Sequence, residues 1–205
     1  MSAHGRVVVA LEGPHLEPFE AVLDALEDHD ADVLLGPALL LGVGPSASLY
    51  LQQCGIRAWL DSAAVVTEPS ALAMARVVRR VRAAGLVVAA GTSNVAIAAM
   101  VRELGPAHLL VRCRGDDVTR GVAAAALGAG ARGVVLGLAD AARLGDGAAI
   151  PAGALWLERE ADGGEASGVD SLSGAGCIDH SIARADDPAQ ALVHARAMLA
   201  SWEQA

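Results

Sequence analysis

Ionisable side chains stand at the ends of several short apolar runs of this 205-residue chain, and their types could support proton transfer. Glu12, Asp61 and His180 are the candidate acids and bases, and His180 is included because imidazole titrates near neutral pH. Arg112 and Arg114 could hold a carboxylate or an enolate through charge-assisted hydrogen bonds. The polar residues near the same run ends that we expect to contact a ligand are Ser62, Thr92, Ser93, Asn94 and Asp179.

Each of these assignments has a structural alternative. Thr92-Ser93-Asn94 is also a good N-cap sequence for a helix. The charged residues could pair with one another as a plug of salt bridges that binds nothing. An open pocket lined by charge would favour ligand binding, whereas direct pairing of arginine and carboxylate across the pocket would favour the plug.

The composition excludes several classes of protein. All 15 basic residues are arginine, so the chain has no lysine for a Schiff base, a proton donor or a P-loop. The formal net charge of −9 argues against nucleic acid and anionic membrane as partners. We expect no cofactor and no metal, because no dinucleotide fingerprint and no ligand spacing of His or Cys is present. Cys54, Cys113 and Cys177 lie far apart in apolar stretches, which predicts reduced thiols in a cytoplasmic protein.

The elements that must position the candidate residues recur at a pitch of about 24 residues. Eight apolar runs predict buried strands: Val7–Leu11, Asp32–Leu35, Ile56–Leu60, Leu86–Ala90, Leu109–Cys113, Gly133–Leu136, Leu155–Leu157 and Ala175–Ile178. Helical periodicity between the runs is clearest over Pro18–Asp28, Pro69–Ala84 and Pro188–Glu203. The expected buried face of the second of these helices carries Leu72, Met74, Val77, Val78 and Val81. This alternation predicts one domain over residues 1–205, a compact (β/α)8 TIM-type barrel, with an open doubly wound sheet as the alternative.

The fifth run predicts which way its arginines face. Residues 109, 111 and 113 are apolar and share one face of the strand, whereas Arg112 and Arg114 share the other. Because the apolar face should meet the helices, Arg112 should point into the barrel near its carboxyl-terminal rim, where such barrels form their sites. The carboxylates expected nearest to Arg112, judged by strand ends, are Glu12, Asp61 and Glu158.

The strand ends resemble those of the orotidine 5′-monophosphate decarboxylase superfamily, which includes hexulose-phosphate synthases and ketogulonate-phosphate decarboxylases. Val9-Ala10-Leu11-Glu12 stands where the family has V-A-L-D, and Asp32 to Pro37 resembles its D-x-x-K-x-G-P strand. Trp59-Leu60-Asp61-Ser62 falls on the start of the D-x-K-x-x-D strand, and Ile182 to Pro188 resembles the entry to the last helix. The resemblance implies a TIM barrel that forms dimers.

The sequence departs from the family pattern at the residues that carry out the family's reaction. In this family a lysine protonates the carbon left by departing carbon dioxide, and aspartates position it. Asp61 keeps the first acid, but Ala63 takes the lysine position, Val66 that of the second aspartate and Leu34 that of the strand-two lysine. The magnesium site of the sugar-phosphate branches also needs a strand-two glutamate, which falls on Leu34 or Leu35.

The phosphate site implied by the resemblance is eroded in the same way. His180 takes the place of the arginine that grips phosphate after the eighth strand. The loop after the seventh strand carries one arginine, Arg159, and five acids: Glu158, Glu160, Asp162, Glu165 and Asp170. This local excess of negative charge disfavours a phosphate dianion.

We therefore expect a diverged barrel that has lost decarboxylation and whose charged mouth accepts a polar small molecule, with lyase- or isomerase-type proton transfer as its chemistry. The alternative is a pseudoenzyme, a non-catalytic barrel that acts as a binding or assembly partner. We also expect a homodimer, because Ala38 to Leu41 and Leu49 to Leu51 would otherwise expose a large apolar patch.

Overall fold

The structure is a computed structural model that describes residues 6–27, 30–105, 108–114, 120–138, 140–141, 150, 154–160 and 176–202. Within these residues, eight parallel strands pair in chain order, and the eighth also pairs with the first, so the sheet closes into a barrel. The predicted (β/α)8 barrel is confirmed, and the alternative of an open sheet is wrong.

The strands are β1 (Arg6–Leu11), β2 (Asp32–Leu35), β3 (Ala58–Asp61), β4 (Gly85–Ala89), β5 (His108–Cys113), β6 (Gly133–Gly137), β7 (Leu155–Arg159) and β8 (Gly176–Asp179). The α-helices are α1 (Glu20–Glu27), α2 (Pro37–Gly42), α3 (Ala47–Gln53), α4 (Glu68–Arg80), α5 (Asn94–Leu104), α6 (Arg120–Gly128) and α7 (Pro188–Trp202). Short 3₁₀ turns cover Glu17–Phe19 and Ile182–Arg184. In the described part of the chain, no helix combines the length and the apolar character needed to cross a bilayer.

Two boundaries differ from the prediction in ways that affect the site. The third strand begins two residues later than predicted and includes Asp61, and the seventh strand extends through Glu158 to Arg159. Asp61 and Glu158 are therefore held by the sheet rather than by loops, and strand alternation fixes the face on which each side chain lies.

The inner faces of the strands form a hydrophobic core separate from the one between sheet and helices. Its members are Val8, Ala10, Leu34, Trp59, Val87, Leu110, Val135, Trp156 and Ile178. The rings of Trp59 and Trp156 pack with their centroids 5.5 Å apart. A Cβ at Gly85 would overlap the Trp59 ring and one at Gly176 the Trp156 ring, so glycines on adjacent strands make room for both indoles. The barrel interior is thus filled, which leaves the carboxyl-terminal end of the strands as the place for a ligand.

The opposite end of the barrel is closed by Asp32, which is buried at the start of β2. Its carboxylate accepts hydrogen bonds from Trp59 Nε1 at 2.9 Å and from Arg57 Nε at 2.8 Å. Such paired charge at the amino-terminal end of a barrel stabilises the fold, since catalytic sites form at the other end.

The buried face of helix α4 is only partly the one predicted. Val78 is buried as expected, but Leu72 and Val77 are exposed, and Ala71 and Ala75 are buried instead. The buried set has the spacing of one helical face, i, i+4 and i+7. Alanines at two of these positions let the helix lie close to the barrel, so the larger side chains turn outward.

Candidate functional site at the barrel mouth

Glu158, near the end of β7, is fully buried and is contacted by three cationic side chains. Its Oε1 lies 2.9 Å from His180 Nε2 and 2.9 Å from Arg112 Nη2. Its Oε2 accepts a hydrogen bond from Arg114 Nη2 at 3.0 Å. A single carboxylate therefore joins β5 to the residue that follows β8.

Arg112 links this carboxylate to a second one, on β3. Its Nη1 donates to Asp61 Oδ2 at 2.6 Å, and both side chains are almost wholly buried. The predicted inward orientation of Arg112 agrees with this geometry, and two of its three expected partners lie beside it. The Nη2–Glu158 contact is close but not aligned as a hydrogen bond, and Arg112 Nε has no hydrogen-bond partner among the described residues.

Glu12, the third expected partner of Arg112, instead lies beside His180. Glu12 Oε1 is 3.3 Å from His180 Nδ1, so the imidazole stands between Glu12 and Glu158. Pairing of β8 with β1 brings these two residues together, because each follows the end of its strand. The His180 backbone N–H donates to the Arg159 carbonyl at 3.0 Å, which fixes the start of the loop.

These contacts shift the pKa values of His180 and Glu158 in opposite directions. Burial alone would raise the pKa of Glu158, but the hydrogen bond with His180 and the charges of Arg112 and Arg114 lower it to about 2. Burial alone would lower the pKa of His180, but the hydrogen bond and charge of Glu158, with Glu12 and Glu160 nearby, raise it above its ordinary value of 6.5. The imidazole is thus held in its charged form to a higher pH than an exposed histidine.

Three charged residues remain accessible at the outer edge of this arrangement. The exposed side-chain fractions are 46% for Glu12, 53% for Arg114 and 56% for Glu160. Arg114 Nη2 lies 3.2 Å from Glu160 Oε1, so Arg114 bridges an exposed acid and a buried one. We call the whole set the mouth cluster: Glu12, Asp61, Arg112, Arg114, Glu158, Glu160 and His180.

Asp179 lies on the other side of the sheet from the mouth cluster. It alternates with Ile178, which points into the barrel. Its carboxylate is 3.5 Å from Arg159 Nη1 and accepts hydrogen bonds from the backbone N–H and the hydroxyl of Ser181 at 2.8 and 2.6 Å. Asp179 therefore holds the β8 loop that carries His180.

Three of the remaining candidate residues form hydrogen bonds with backbone groups near the rim. Thr92 Oγ1 accepts a hydrogen bond from the Val66 N–H at 3.0 Å, and Ser93 Oγ accepts one from the Ala96 N–H at 3.2 Å as the N-cap of α5. Ser62 Oγ donates to the Val87 carbonyl at 3.0 Å. Asn94 borders an outer groove of about 520 Å³ between α5 and α6. These contacts shape the loops around the mouth.

Glu158 and Glu160 belong to the mouth cluster although neither was predicted as a site residue. Glu158 was expected to lie near Arg112, and both were expected among the acids that disfavour phosphate. The alternation of Glu158 with the inward Trp156 on β7 is the signal that could have placed its carboxylate inside the barrel. The predicted acidic loop beyond them, and its Asp162, Glu165 and Asp170, lies outside the described residues.

The magnesium ion implied by the resemblance does not fit these residues. Leu34 and Leu35, at the position of the required glutamate, are buried leucines. Asp61 has both oxygens engaged, because Oδ1 accepts from the Ala63 N–H at 2.8 Å and Oδ2 from Arg112. Across the described ranges, no three His, Cys, Asp or Glu residues are grouped so that they could hold a metal.

No protein-family model and no curated protein matches this sequence. Solved structures do match it. Orotidine 5′-monophosphate decarboxylase from Methanocaldococcus jannaschii, in complex with the inhibitor BMP, superimposes with a TM-score of 0.77 at 12% identity, covering 96% of this chain and 99% of that one. Orotidine 5′-phosphate decarboxylase from Lactobacillus acidophilus gives 0.71 at 17% identity, covering 98% and 100%. KGPDC from Streptococcus mutans gives 0.74 at 16% identity, covering 98% of each chain.

These matches define the class of the protein as a (β/α)8 barrel. Within that class, the chain has the fold shared by orotidine 5′-phosphate decarboxylase and KGPDC, over nearly its whole length. The resemblance stated from the strand ends is confirmed at the level of the fold.

Proposed function

We propose that this chain is a diverged member of the orotidine 5′-monophosphate decarboxylase superfamily whose mouth cluster binds a polar small molecule and transfers a proton to or from it. The observation that carries the proposal is the position of His180 between the exposed Glu12 and the buried Glu158. A carboxylate that is open to solvent and backed by an imidazole is an arrangement suited to general acid–base catalysis.

In this proposal Glu12 is the group that meets the ligand, since His180 is almost wholly buried. Glu12 removes a proton from a carbon next to a carbonyl, and the electron pair of that C–H bond passes to the carbonyl oxygen. The charged His180 orients the Glu12 carboxylate through the 3.3 Å contact. Returning that proton, or one exchanged from water, to the carbon completes the cycle. Arg114, half exposed at the rim, can stabilise the enolate oxygen that forms between the two steps.

The loss of the family's decarboxylation follows from the position that its lysine would occupy. Ala63 stands there, with its backbone in the left-handed region (φ 46°) and its N–H donating to Asp61 Oδ1. The chain contains no lysine, so neither another position nor a second copy of the chain could supply one. We expect homogeneous protein to give no detectable decarboxylation of orotidine 5′-monophosphate, and robust turnover would contradict this part of the proposal.

The pseudoenzyme alternative is supported by the direct pairing of Arg112 with Asp61 and Glu158. A further observation favours a binding site over a plug. Glu12, Arg114 and Glu160 keep about half of their side-chain surface accessible at the end where barrels of this class form their sites.

Hydrogen–deuterium exchange into candidate substrates tests the proposed proton transfer. Pyruvate, hydroxyacetone and aminoacetone share a three-carbon 2-oxo skeleton and differ in charge, so ¹H NMR in D2O would report loss of their C–H signals in the presence of the protein. We expect catalysed exchange for at least one of them, abolished by Glu12→Gln and reduced by His180→Gln. The matched control is His194→Gln on the exposed face of α7, which should exchange like the unaltered protein. Exchange that is absent for all three, or indifferent to Glu12→Gln, would contradict the proposal.

We further propose that the protein is a cytoplasmic homodimer. Cys54 and Cys177 form no disulfide, as expected in a reducing compartment. Exposed apolar side chains follow the ends of consecutive strands: Leu41, Val43, Leu49 and Tyr50 after β2, Val65 after β3, and Val95 after β4. We call these side chains the apolar rim, and a second copy of the chain would cover them.

A further inference from the structure

Asp179 and His180 are neighbours in the chain whose side chains lie on opposite faces of the sheet. Asp179 is the last residue of β8 and is fully buried on the outer face. His180 follows it and turns into the mouth, where its ring lies between Glu12 and Glu158. Asp179 is therefore placed to act on the imidazole through the backbone that the two residues share.

Two interactions fix the backbone of His180, one on each side of it. Its N–H donates to the Arg159 carbonyl at 3.0 Å, which continues the pairing of β8 with β7. Asp179 Oδ1 accepts hydrogen bonds from the backbone N–H and the hydroxyl of Ser181, at 2.8 and 2.6 Å. A side-chain bond to the N–H two residues further on closes an Asx turn, and the central residue of this turn is His180. The turn restricts the backbone angles of His180 and hence the direction of its side chain.

A second contact of Asp179 ties this turn to the strand that carries Glu158. Asp179 Oδ2 lies 3.5 Å from Arg159 Nη1, and the two residues are directly paired across β7 and β8. Because Arg159 follows Glu158 and Asp179 precedes His180, the outer pair Arg159–Asp179 stands next to the inner pair Glu158–His180. The outer pair joins β7 and β8 at the level where the inner pair meets at 2.9 Å.

We infer that Asp179 is a positioning residue, whose carboxylate sets the backbone of His180 so that the imidazole lies between Glu12 and Glu158. The catalytic consequence of this inference rests on the proposed function, because there the imidazole orients the Glu12 carboxylate. The position of the ring itself is measured without a substrate.

The titration of His180 reports where its ring lies. The charged groups around the imidazole come from β5, from β7 and its end, and from the residue after β1: Arg112, Arg114, Glu158, Glu160 and Glu12. The three acids raise the pKa of His180 above 6.5 against the effect of burial. A ring displaced from them should titrate nearer to its ordinary pKa.

NMR titration of the full-length protein provides the test. The signal of His180 is identified among those of the six histidines by its absence from His180→Gln. Asp179→Ala removes the Asx turn, and we expect it to lower the measured pKa of His180 by about 0.5 or more. Asp179→Asn removes the same charge but keeps an oxygen that accepts from Ser181, so the pKa should stay within about 0.2 of that of the unaltered protein.

Two further variants complete the comparison. Ser181→Ala keeps the charge of Asp179 and loses only the hydroxyl bond, so the pKa of His180 should fall by a smaller amount. The matched control is Asp187→Ala, which removes an aspartate that accepts from the Gln190 N–H at the start of α7 and should leave this pKa unchanged.

The comparison between variants decides the inference. An equal fall of the pKa in Asp179→Asn and Asp179→Ala would show that the carboxylate acts through its charge rather than through the turn, and would overturn the inference. An unchanged pKa in Asp179→Ala would overturn it as well. Where Asp179→Ala does not fold, an unchanged pKa in Ser181→Ala has the same meaning.

Catalysed proton exchange separates this inference from the proposed function. Asp179→Ala should reduce the exchange rate about tenfold and move its pH profile with the pKa of His180, whereas Asp179→Asn should keep most of the rate. A fall of the pKa in Asp179→Ala alone, with no exchange by any of the proteins, would support the positioning role and contradict the proposed function. Exchange at the full rate in Asp179→Ala, with an unshifted profile, would overturn the inference and leave the proposed function standing.

Discussion

Arg112 Nη1 on β5 lies 2.6 Å from Asp61 Oδ2 on β3, so this ion pair crosses the face of the intervening strand β4 inside the barrel. Both side chains are shielded from water, and the second terminal nitrogen of Arg112 faces the buried Glu158. One guanidinium group therefore compensates two carboxylates that burial would otherwise destabilise.

Replacing Arg112 by alanine should lower the free energy of unfolding by about 3–5 kcal/mol, because Asp61 loses its ion pair and Glu158 keeps only His180 and Arg114. Arg79→Ala is the control: Arg79 is an exposed residue of α4 paired with Glu103, and its loss should cost about 0.5 kcal/mol or less. Urea denaturation of both variants checks the difference. Small and equal losses would show that Arg112 does not stabilise the barrel interior.

Arg114→Ala distinguishes a ligand contact from a structural plug. Arg114 is about half exposed, so its pairs with Glu158 and Glu160 are screened by solvent. We expect the variant to lose about 1 kcal/mol or less in the same denaturation experiment while catalysed proton exchange falls. A loss as large as that of Arg112→Ala would indicate that both arginines belong to one structural network.

Glu158 should make the fold sensitive to acid. Its pKa is about 2 in the folded chain and near its ordinary value of 4.5 when unfolded, so its stabilisation is complete above 4.5 and is lost as the pH falls through about 2. A shift of this size corresponds to roughly 3 kcal/mol. Unfolding free energies measured between pH 6 and 2 should fall steeply in this window, and less steeply for Glu158→Gln. An equal slope for the variant would contradict the assignment.

His180 should make the stability of the fold decline as the pH rises above neutral. Its pKa is raised in the folded chain, so its contribution to stability is complete below 6.5 and is lost as the pH rises through the folded value. Unfolding free energies measured between pH 6 and 9 should therefore decline for the unaltered protein and decline less for His180→Gln. The exposed His194 provides the control, and His194→Gln should keep the slope of the unaltered protein.

Strand periodicity was enough to predict the barrel and the inward face of Arg112, because apolar and charged residues alternate along β5. It could not orient β8, where Cys177 and Ile178 are both apolar and give no signal for which of Asp179 and His180 faces inward. Tertiary packing decides this, with Cys177 in the outer core and Ile178 in the inner one.

The partner of Glu12 also could not be predicted from the sequence. Its pairing with His180 depends on the closure of β8 onto β1, which joins residues far apart in the chain. Strand ends alone placed Glu12 at the same rim as Arg112, but the stagger between strands determines which side chains come within contact distance. The buried face of α4 was only partly predicted for a related reason, since close packing against the barrel favoured alanine over larger residues at positions 71 and 75.

The exposed apolar rim leads to a prediction about assembly. Leu41 on α2 has 88% of its surface exposed, and Tyr50 on α3 has 53%, which is unusual for large apolar residues of a monomer. We expect light scattering at micromolar concentration to give a homodimer of about 41 kDa, twice the chain mass of 20.7 kDa. Leu41→Asp should shift the mass toward that of the monomer, because an unpaired carboxylate would be desolvated in the interface.

Val193→Asp is the matched control for this experiment. Val193 is also a large exposed apolar residue, with 56% of its surface accessible, but it lies on α7 rather than on the helices that follow β2. A dimer that survives Val193→Asp and dissociates with Leu41→Asp would locate the contact at the apolar rim. A monomeric mass for the unaltered protein would reject the homodimer, and dissociation by Val193→Asp alone would move the interface to α7.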